Sequence, residues 1–419
     1  MINAENNINN LETLPQGWER RNSLELVESV RIDRNKQVPK SEYQLAGEFP
    51  IVDQGQSFVA GWTNHENRVI CDVLPLIIFG DHTRCLKFVD MPFALGADGT
   101  KPLRARDGVN PRFAYYALSS VDIPSKGYSR HFSVFKEKTV MFCESLVEQK
   151  KIAAILFKLQ NAISVQKRTL DTLRELKKST LQKIFTEGLH GKSQSTDLGK
   201  IPAGWAVFSL GDLCDENGGG IQTGPFGSQL HASDYELEGT PVVNPTHMNE
   251  NEIIHKDIPK IGSRNANRLS RHALEAGDIL FARRGEIGRH AFVSERESGW
   301  ICGTGCFLVR MKTERVFSEY TSRFLYSSMA QEWLVAHASG TIMPNLNTKI
   351  LRACPVVFPE SPAEQKKIIS IFQTLDKKIG VHERKRDTLN ELFRSTLNQL
   401  MTAKIRVNNL KIDISEVEE

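Results

Sequence analysis

The sequence predicts an α+β protein. Two globular mixed α/β domains are separated by two long helices, which pair as an antiparallel coiled coil. Three observations predict it: one long segment occurs twice, the regions around it read as short strands broken by turns, and both copies carry an apolar seam at helical spacing.

The segment starting at Glu144 aligns with the one starting at Glu360, 216 positions on, without a gap and with 21 of 43 residues identical. A shorter pair, "LPQGW" at Leu14 and "IPAGW" at Ile201, lies 187 positions apart. The chain is an opener, a variable region and a helix, written twice, with the second variable region about 29 residues the longer. The expected boundaries are a disordered, polar N-terminal tail over 1–13, a globular region over 14–143, a helix over 144–190 and a linker over 191–200. A second globular region over 201–359, a second helix over 360–405 and a C-terminal tail over 406–419 follow.

In the first helix Ile152, Leu156, Leu159, Ile163, Leu170 and Leu173 recur at spacings of 3 and 4, with Gln166 in the one polar slot. Ile368, Phe372, Leu375, Ile379 and Leu389 take matching places in the second, with His382 and Arg386 in two polar slots. Each helix opens on Glu and Gln, which suit the positive end of a helix dipole, and Gly188 marks where the first should stop. Some 40 residues give a rod of roughly 60 Å. A gapless repeat over such a length points to a spacer in which insertions are forbidden, and two seams in one chain point to mutual pairing.

The variable regions read differently. "FPIVDQGQSFVAGW", "RVICDVLPLIIFGDHTRCLKFVD" and "GDILFARRGEIGRHAFV" are β-branched, apolar runs broken by Gly and Asp, as in strands and hairpins. "PRFAYYALSS" and "SEYTSRFLYSSMAQEWLVAH" read as amphipathic helices.

Charge says little in bulk. The net charge is +4, and residues 144–192 alone hold 10 basic against 5 acidic side chains, so the globular regions are close to neutral. No run of 18 apolar residues crosses a membrane, and the start lacks the basic and apolar regions of a secretory signal. The seven cysteines are scattered without zinc-site spacing, as expected of reduced, mostly buried thiols in a cytoplasmic protein.

A search for catalytic motifs is negative. "GPFGSQL" and "RRGEIGR" lack the phosphate-loop and dinucleotide patterns and read as turn glycines. "VVNPTHM" resembles the Asn-Pro-Pro-aromatic motif of DNA amino-methyltransferases, but Thr246 and His247 replace its last two residues and no glycine-rich cofactor motif accompanies it. A strand ending in a turn fits it better. Asp81 and His82 read as a turn-forming pair without a third metal ligand. No catalytic residue and no metal site is expected.

The twice-used "EQKKI" helix, the two openers, "GPFGSQLHASDY", "LEAGDILFARRGEIGRHAFV", "GTGCFLVR" and "SGTIMPNLNTKILRACPVVFPESPAEQKKI" resemble the specificity subunit of type I restriction–modification enzymes. The likeness runs over about residues 11–405 and is strongest in the second half. The first variable region departs from it, with "GDHTRCLKFVDMPFALGADGTKPL" in place of the Arg-Arg-Gly hairpin and the Ser-Gly-Thr loop.

The resemblance implies a non-catalytic reader of double-stranded DNA. Each variable region would be a target recognition domain for half of a bipartite, asymmetric site. The helices would set their separation and dock two methyltransferase subunits, with restriction (motor–nuclease) subunits completing the complex. S-adenosylmethionine, ATP and Mg would belong to those partners, so this chain is expected to bind no cofactor.

Base and phosphate contacts need basic and amide or hydroxyl side chains on loops. In the first domain the candidates are Arg84, Lys87, Lys101, Arg104, Arg106, Lys126 and Arg130. In the second they are Gln222, Thr223, Ser228, Gln229, His231, Thr246, His247, Arg283, Arg284, Arg289, Thr341, Asn345, Asn347 and Lys349. Two other readings compete: a stand-alone or fragmentary DNA methyltransferase, and an inactive coiled-coil adaptor.

Overall fold

The structure is a computed structural model, which describes residues 14–125, 127, 129–338 and 345–417. The expected tail over 1–13 and the candidates Lys126 and Thr341 lie outside the described residues. The chain folds into two compact units, one built from residues 1–168 and 383–419 and the other from 169–382.

The two expected rods are present as Leu146–Glu187 and Pro362–Met401. The first stops where the glycine predicts, with Gly188 in the left-handed region at φ 67°. Each unit takes one end of each helix. In the first unit Ile152 and Leu156 share a core with Leu400 and Met401, and Tyr116 stacks edge-on against Phe393 at 6.1 Å. In the second unit Ile184 and Phe185 share a core with Ile368 and Phe372, the two phenylalanine rings lying 6.2 Å apart and nearly parallel. The start of one helix thus meets the end of the other in both units, which is antiparallel pairing. Of the expected seam, Ile152, Leu156, Leu170, Ile368, Phe372, Leu375 and Ile379 are buried, while Leu159, Ile163, Leu173 and Leu389 are half-buried. The seam also runs further than expected, through Ile184, Phe185, Leu400 and Met401. A fully buried aromatic or Leu side chain of this kind contributes about 2 kcal/mol.

In the first unit, Trp18–Asn22 pairs antiparallel with Thr139–Cys143, the strand that leads into the first long helix. An antiparallel sheet orders Val27–Ser29, Thr100–Ala105, Leu76–Gly80 and Leu86–Val89. Its central strand is the "LIIFG" run, buried at every position, as β-branched and aromatic residues favour. A mixed sheet is built around Phe93–Gly96, and the helix Pro111–Ser119 packs into the core under an Asn110 cap.

The second unit repeats the entry. Ala206–Ser209 pairs antiparallel with Pro355–Phe358, which leads into the second long helix. Ala206 faces Phe358 as Glu19 faces Phe142 in the first unit, so both offsets of the repeat, 187 and 216, are kept in the register. An antiparallel sheet orders Gly220–Thr223, Cys306–Arg310, Ile279–Ala282 and His290–Phe292, the last two forming the hairpin expected of "GDILFARRGEIGRHAFV". The single helix expected of "SEYTSRFLYSSMAQEWLVAH" is instead two, Ser318–Phe324 and Ser328–His337. The break has a local cause: Ser327 is extended, and its hydroxyl accepts the Ala330 N–H as the cap of a new helix.

Candidate nucleic-acid interface

Both globular parts hang on the long helices by the same device. Gln149 Nε2 donates to the carbonyls of Cys143 (2.7 Å) and Gly108 (3.3 Å), and its Oε1 accepts the Asn110 N–H (2.7 Å). Gln365 Nε2 donates to the carbonyls of Pro359 (2.8 Å) and Arg315 (2.9 Å), and its Oε1 accepts the Phe317 N–H (3.0 Å). Buried amides of this kind fix the angle at which a domain leaves its helix.

In the second unit several candidate side chains meet at one edge. Gly224 N–H donates to the Cys306 carbonyl (2.8 Å), Gly303 N–H to Val243 (2.9 Å), Arg283 N–H to Gly305 (2.8 Å) and Leu346 N–H to Arg283 (3.1 Å). These bonds gather the loops that carry Thr223, Thr246, His247, Arg283, Arg284 and Asn345. The approach is close: a Cβ on Gly224 would lie 2.1 Å from the Gly303 carbonyl oxygen, so only glycine fits there. Arg284 bridges Asn345 across the loops and is exposed. Arg283 sits over the Phe307 ring at 6.0 Å. Its Nε and the Asn345 Oδ1 are buried without a hydrogen-bond partner among the described residues. Those two groups face inward, and the exposed Arg284 is a donor that this edge presents to solvent, the kind of group that a base-reading surface needs.

Around Asn244 the sequence "VVNPTHM" does form a strand, Thr240–Val243, followed by a turn. His247 Nδ1 accepts the Asn244 N–H at 3.1 Å, and partial burial lowers the affinity of that imidazole for a proton. Asn244 and the exposed Thr304, which stands between Gly303 and Gly305, share this edge and were not expected. A lone threonine between two glycines, "GTG", is the signal that marks the second of them.

The other candidates of this unit stand elsewhere. Gln222 donates to the Arg271 carbonyl (2.7 Å), and Gln229 Oε1 accepts the Phe226 N–H (3.2 Å) within the loop that also exposes Ser228. His231 starts a tight turn closed by Asp234. Arg289 is held by Glu286 (3.1 and 2.7 Å). Asn347 caps the helix Thr348–Ala353 by accepting the Ile350 N–H (2.8 Å), and Lys349 is exposed on that helix.

In the first unit Lys101 and Arg130 share a polar cleft of about 540 Å³ with Asp81 and His82. Asp81 organises the turn there, its carboxylate accepting the Phe132 N–H (2.8 Å) and lying 4.0 Å from Lys101 Nζ. Arg84 occupies the left-handed region at φ 65° and donates to the Ile123 carbonyl (2.8 Å). Arg104 pairs with Glu28 directly across the sheet (2.6 Å), and Arg106 donates to the Leu24 carbonyl (2.9 Å). Lys87 corrects the expectation: it is buried, and its ammonium donates to the carbonyls of Asp53 (2.8 Å) and Ser57 (2.5 Å), so it is not presented to solvent. Desolvation lowers the proton affinity of that ammonium despite the nearby Asp53.

Residues 202–391, the span that contains the convergent edge and most of the second long helix, match the family model for the type I restriction modification DNA specificity domain. That stretch of the chain is similar to the specificity domain. The type I restriction enzyme MjaVIII specificity subunit of Methanocaldococcus jannaschii is 24% identical over 271 residues, 63% of this chain and 62% of that protein. The putative MjaX specificity subunit of the same organism is 24% identical over 270 residues, 62% of this chain and 58% of that protein. The alignments thus span about three fifths of the length of these relatives.

Among solved structures, the type I restriction–modification S subunit from M. genitalium matches with a TM-score of 0.62 at 17% identity, covering 95% of this chain and 98% of that one. A chain from work on complex assembly and conformational transition of a type I system matches at 0.50 and 15%, covering 94% and 99%. The resemblance to the type I specificity subunits is borne out, and so is the α+β fold with its two long helices. Among the described residues no helix is long and apolar enough to cross a membrane.

Proposed function

We propose that this specificity subunit is the DNA-reading component of a type I restriction–modification complex and performs no chemistry of its own. It reads a bipartite, asymmetric target in double-stranded DNA, one half through each globular unit. The observation that carries this reading is the duplicated frame. Gln149 and Gln365 hold two domains of unrelated sequence in one geometry, while the loops those domains present differ. At the edge around Arg283, Arg284, Thr304 and Asn345, arginine suits guanine edges and asparagine suits adenine. Two methyltransferase subunits dock on the paired helices and restriction subunits join them, in the cytoplasm. S-adenosylmethionine, ATP and Mg act on those partners.

The helices act as the ruler between half-sites. Because each helix gives an end to both units, a spacer change has to be made in both rods together. One heptad inserted at matching points of each helix is expected to lengthen the gap between half-sites in the methylated motif and leave both half-sequences unaltered. Mapping modified bases in host DNA with the wild-type gene, the lengthened gene and a deletion reads this directly. An unchanged gap would sink the ruler, and an unchanged methylation pattern on deletion would sink the function. Calorimetry of the purified chain with S-adenosylmethionine is expected to show no binding; binding would favour the methyltransferase reading.

A further inference from the structure

The duplicated frame encloses the same ion-pair cradle twice, and the two copies differ in what fills it. In the first unit, Arg406 Nε and Nη2 donate to the two carboxylate oxygens of Glu148, both at 2.8 Å. Arg406 Nη1 donates to the Gln16 carbonyl at 3.2 Å, and its guanidinium carbon lies 6.0 Å from the Trp18 ring centroid. Glu148 is 1% exposed, so this arginine completes a carboxylate that would otherwise be buried uncompensated. Arg406 arrives on the segment that follows the second long helix, after a left-handed residue at Ala403 (φ 55°).

The repeat supplies much of this cradle again. Glu364 stands 216 positions after Glu148, and Ala203 and Trp205 stand 187 positions after Gln16 and Trp18. The arginine is missing, since the position 216 residues before Arg406 is His190, and Pro359 stands where the Cys143 thiol donates to Glu148 at 3.4 Å in the first unit. In place of the side chain is an open pocket of about 640 Å³, lined by Glu364, Trp205, Ala203, Gly188 and His190 among others. Glu364 Oε1 is buried there without a hydrogen-bond partner among the described residues. Of the other charged groups on its wall, Glu187 and Glu360 outnumber Lys192, so the carboxylates exceed the lysine there.

We infer that this pocket is a receptor for a guanidinium side chain supplied by a second protein. The first unit shows what the three shared features select together: a carboxylate for a bidentate fork, a main-chain carbonyl for a third N–H, and an indole face beside them. A planar cation with five donors meets all three, whereas an ammonium offers no fork and a divalent metal gains nothing from the indole. The source assigned to the arginine is a partner subunit of the complex; that assignment rests on the proposed function, and the receptor itself does not.

The probe is N-acetyl-L-argininamide, with N-acetyl-L-citrullinamide as its neutral isostere, titrated into the full chain while the indole N–H resonances are followed by NMR. The Trp205 signal is expected to shift saturably with the arginine probe alone, with a dissociation constant on the order of 10 mM for one bidentate contact. Glu364→Gln should abolish the shift and leave the Trp300 and Trp333 signals of the same unit in place, which also shows that this unit of the variant is folded. Equal responses to both probes, no response, or an undiminished response in the variant would overturn the receptor. In the assembled complex with its methyltransferase subunits the probe should no longer shift Trp205. A pocket that stays open in the complex removes the partner as the source, while failure of any complex to form tells against the proposed function and leaves the receptor standing.

Discussion

Gln149 and Gln365, 216 residues apart, make the same three hydrogen bonds: to the carbonyl at the end of the incoming strand (Cys143) or one residue past it (Pro359), and to two groups that flank the start of the helix packed beside it. Replacing either by leucine strands two carbonyls and one N–H inside the protein. Each substitution is expected to cost about 3 kcal/mol, and the double variant about the sum, since the two sites lie in different units. Urea denaturation of the three variants checks the magnitudes, and limited proteolysis shows which unit opens first.

Asp376 on the second long helix is clasped by Arg323 and, at 2.8 Å, by Lys177 of the first long helix, with all three side chains largely buried. Asp376→Ala leaves two cations facing each other and is expected to destabilise the second unit by on the order of 3 kcal/mol. Glu286, which is mostly exposed beside Arg289, should change stability by less than about 0.5 kcal/mol when replaced by alanine. Thermal or urea unfolding of the two variants tests the contrast.

His290 is fully buried between the carbonyls of Gly288 (2.7 Å) and Ser322 (2.8 Å). Burial pushes its pKa down to about 4 against the opposing pull of those carbonyls. The unfolded chain, with an ordinary histidine, therefore binds a proton that the folded chain refuses between pH 6.5 and about 4. Stability should fall as the pH drops through that window, by at most about 3 kcal/mol, and be unaffected by this group above it. His290→Gln removes the titration, so its stability against pH should be flatter over the same interval.

On the proposed function, Arg283→Ala and Arg284→Ala should each weaken binding of target DNA by about 10- to 100-fold and relax the preference at the bases they face. Lys349→Ala should weaken all sequences alike and lower the salt slope by about 1 if it touches phosphate. Lys87→Met, whose ammonium is spent inside the first unit, should cost stability without changing sequence preference. Fluorescence anisotropy on the assembled complex, at fixed salt, separates the three outcomes.

The rods and their antiparallel pairing were legible because a gapless repeat with a 3–4 spacing leaves few alternatives. Their outer turns were not, because Ile184, Phe185, Leu400 and Met401 are buried by the globular cores as well as by the partner helix. Lys87 could have been read correctly: along Leu86–Val89 it alternates onto the face of the buried Val89. Arg104 could not, since its partner Glu28 lies 76 positions away and is brought opposite only by strand pairing. The convergent edge was half legible. Loops carrying Arg283 and Asn345 are visible locally, but the bridge that joins Arg284 to Asn345 is a long-range contact no window reveals. Ser327 hid its helix break because a capping serine and a mid-helix serine are the same letter.

The matched registers, Glu19 opposite Phe142 and Ala206 opposite Phe358, mean that each globular region enters and leaves through one standard socket. Whatever is plugged between those strand pairs meets the same glutamine and the same outgoing helix, and completes the clamp if it offers the carbonyl and N–H that Gly108 and Asn110, or Arg315 and Phe317, supply. A region cut from one socket therefore fits the other without redesign of the joint. On the proposed function, new specificities are then a matter of exchanging interchangeable parts between fixed couplings, and the couplings, rather than the readers, are what such a lineage has to keep unchanged.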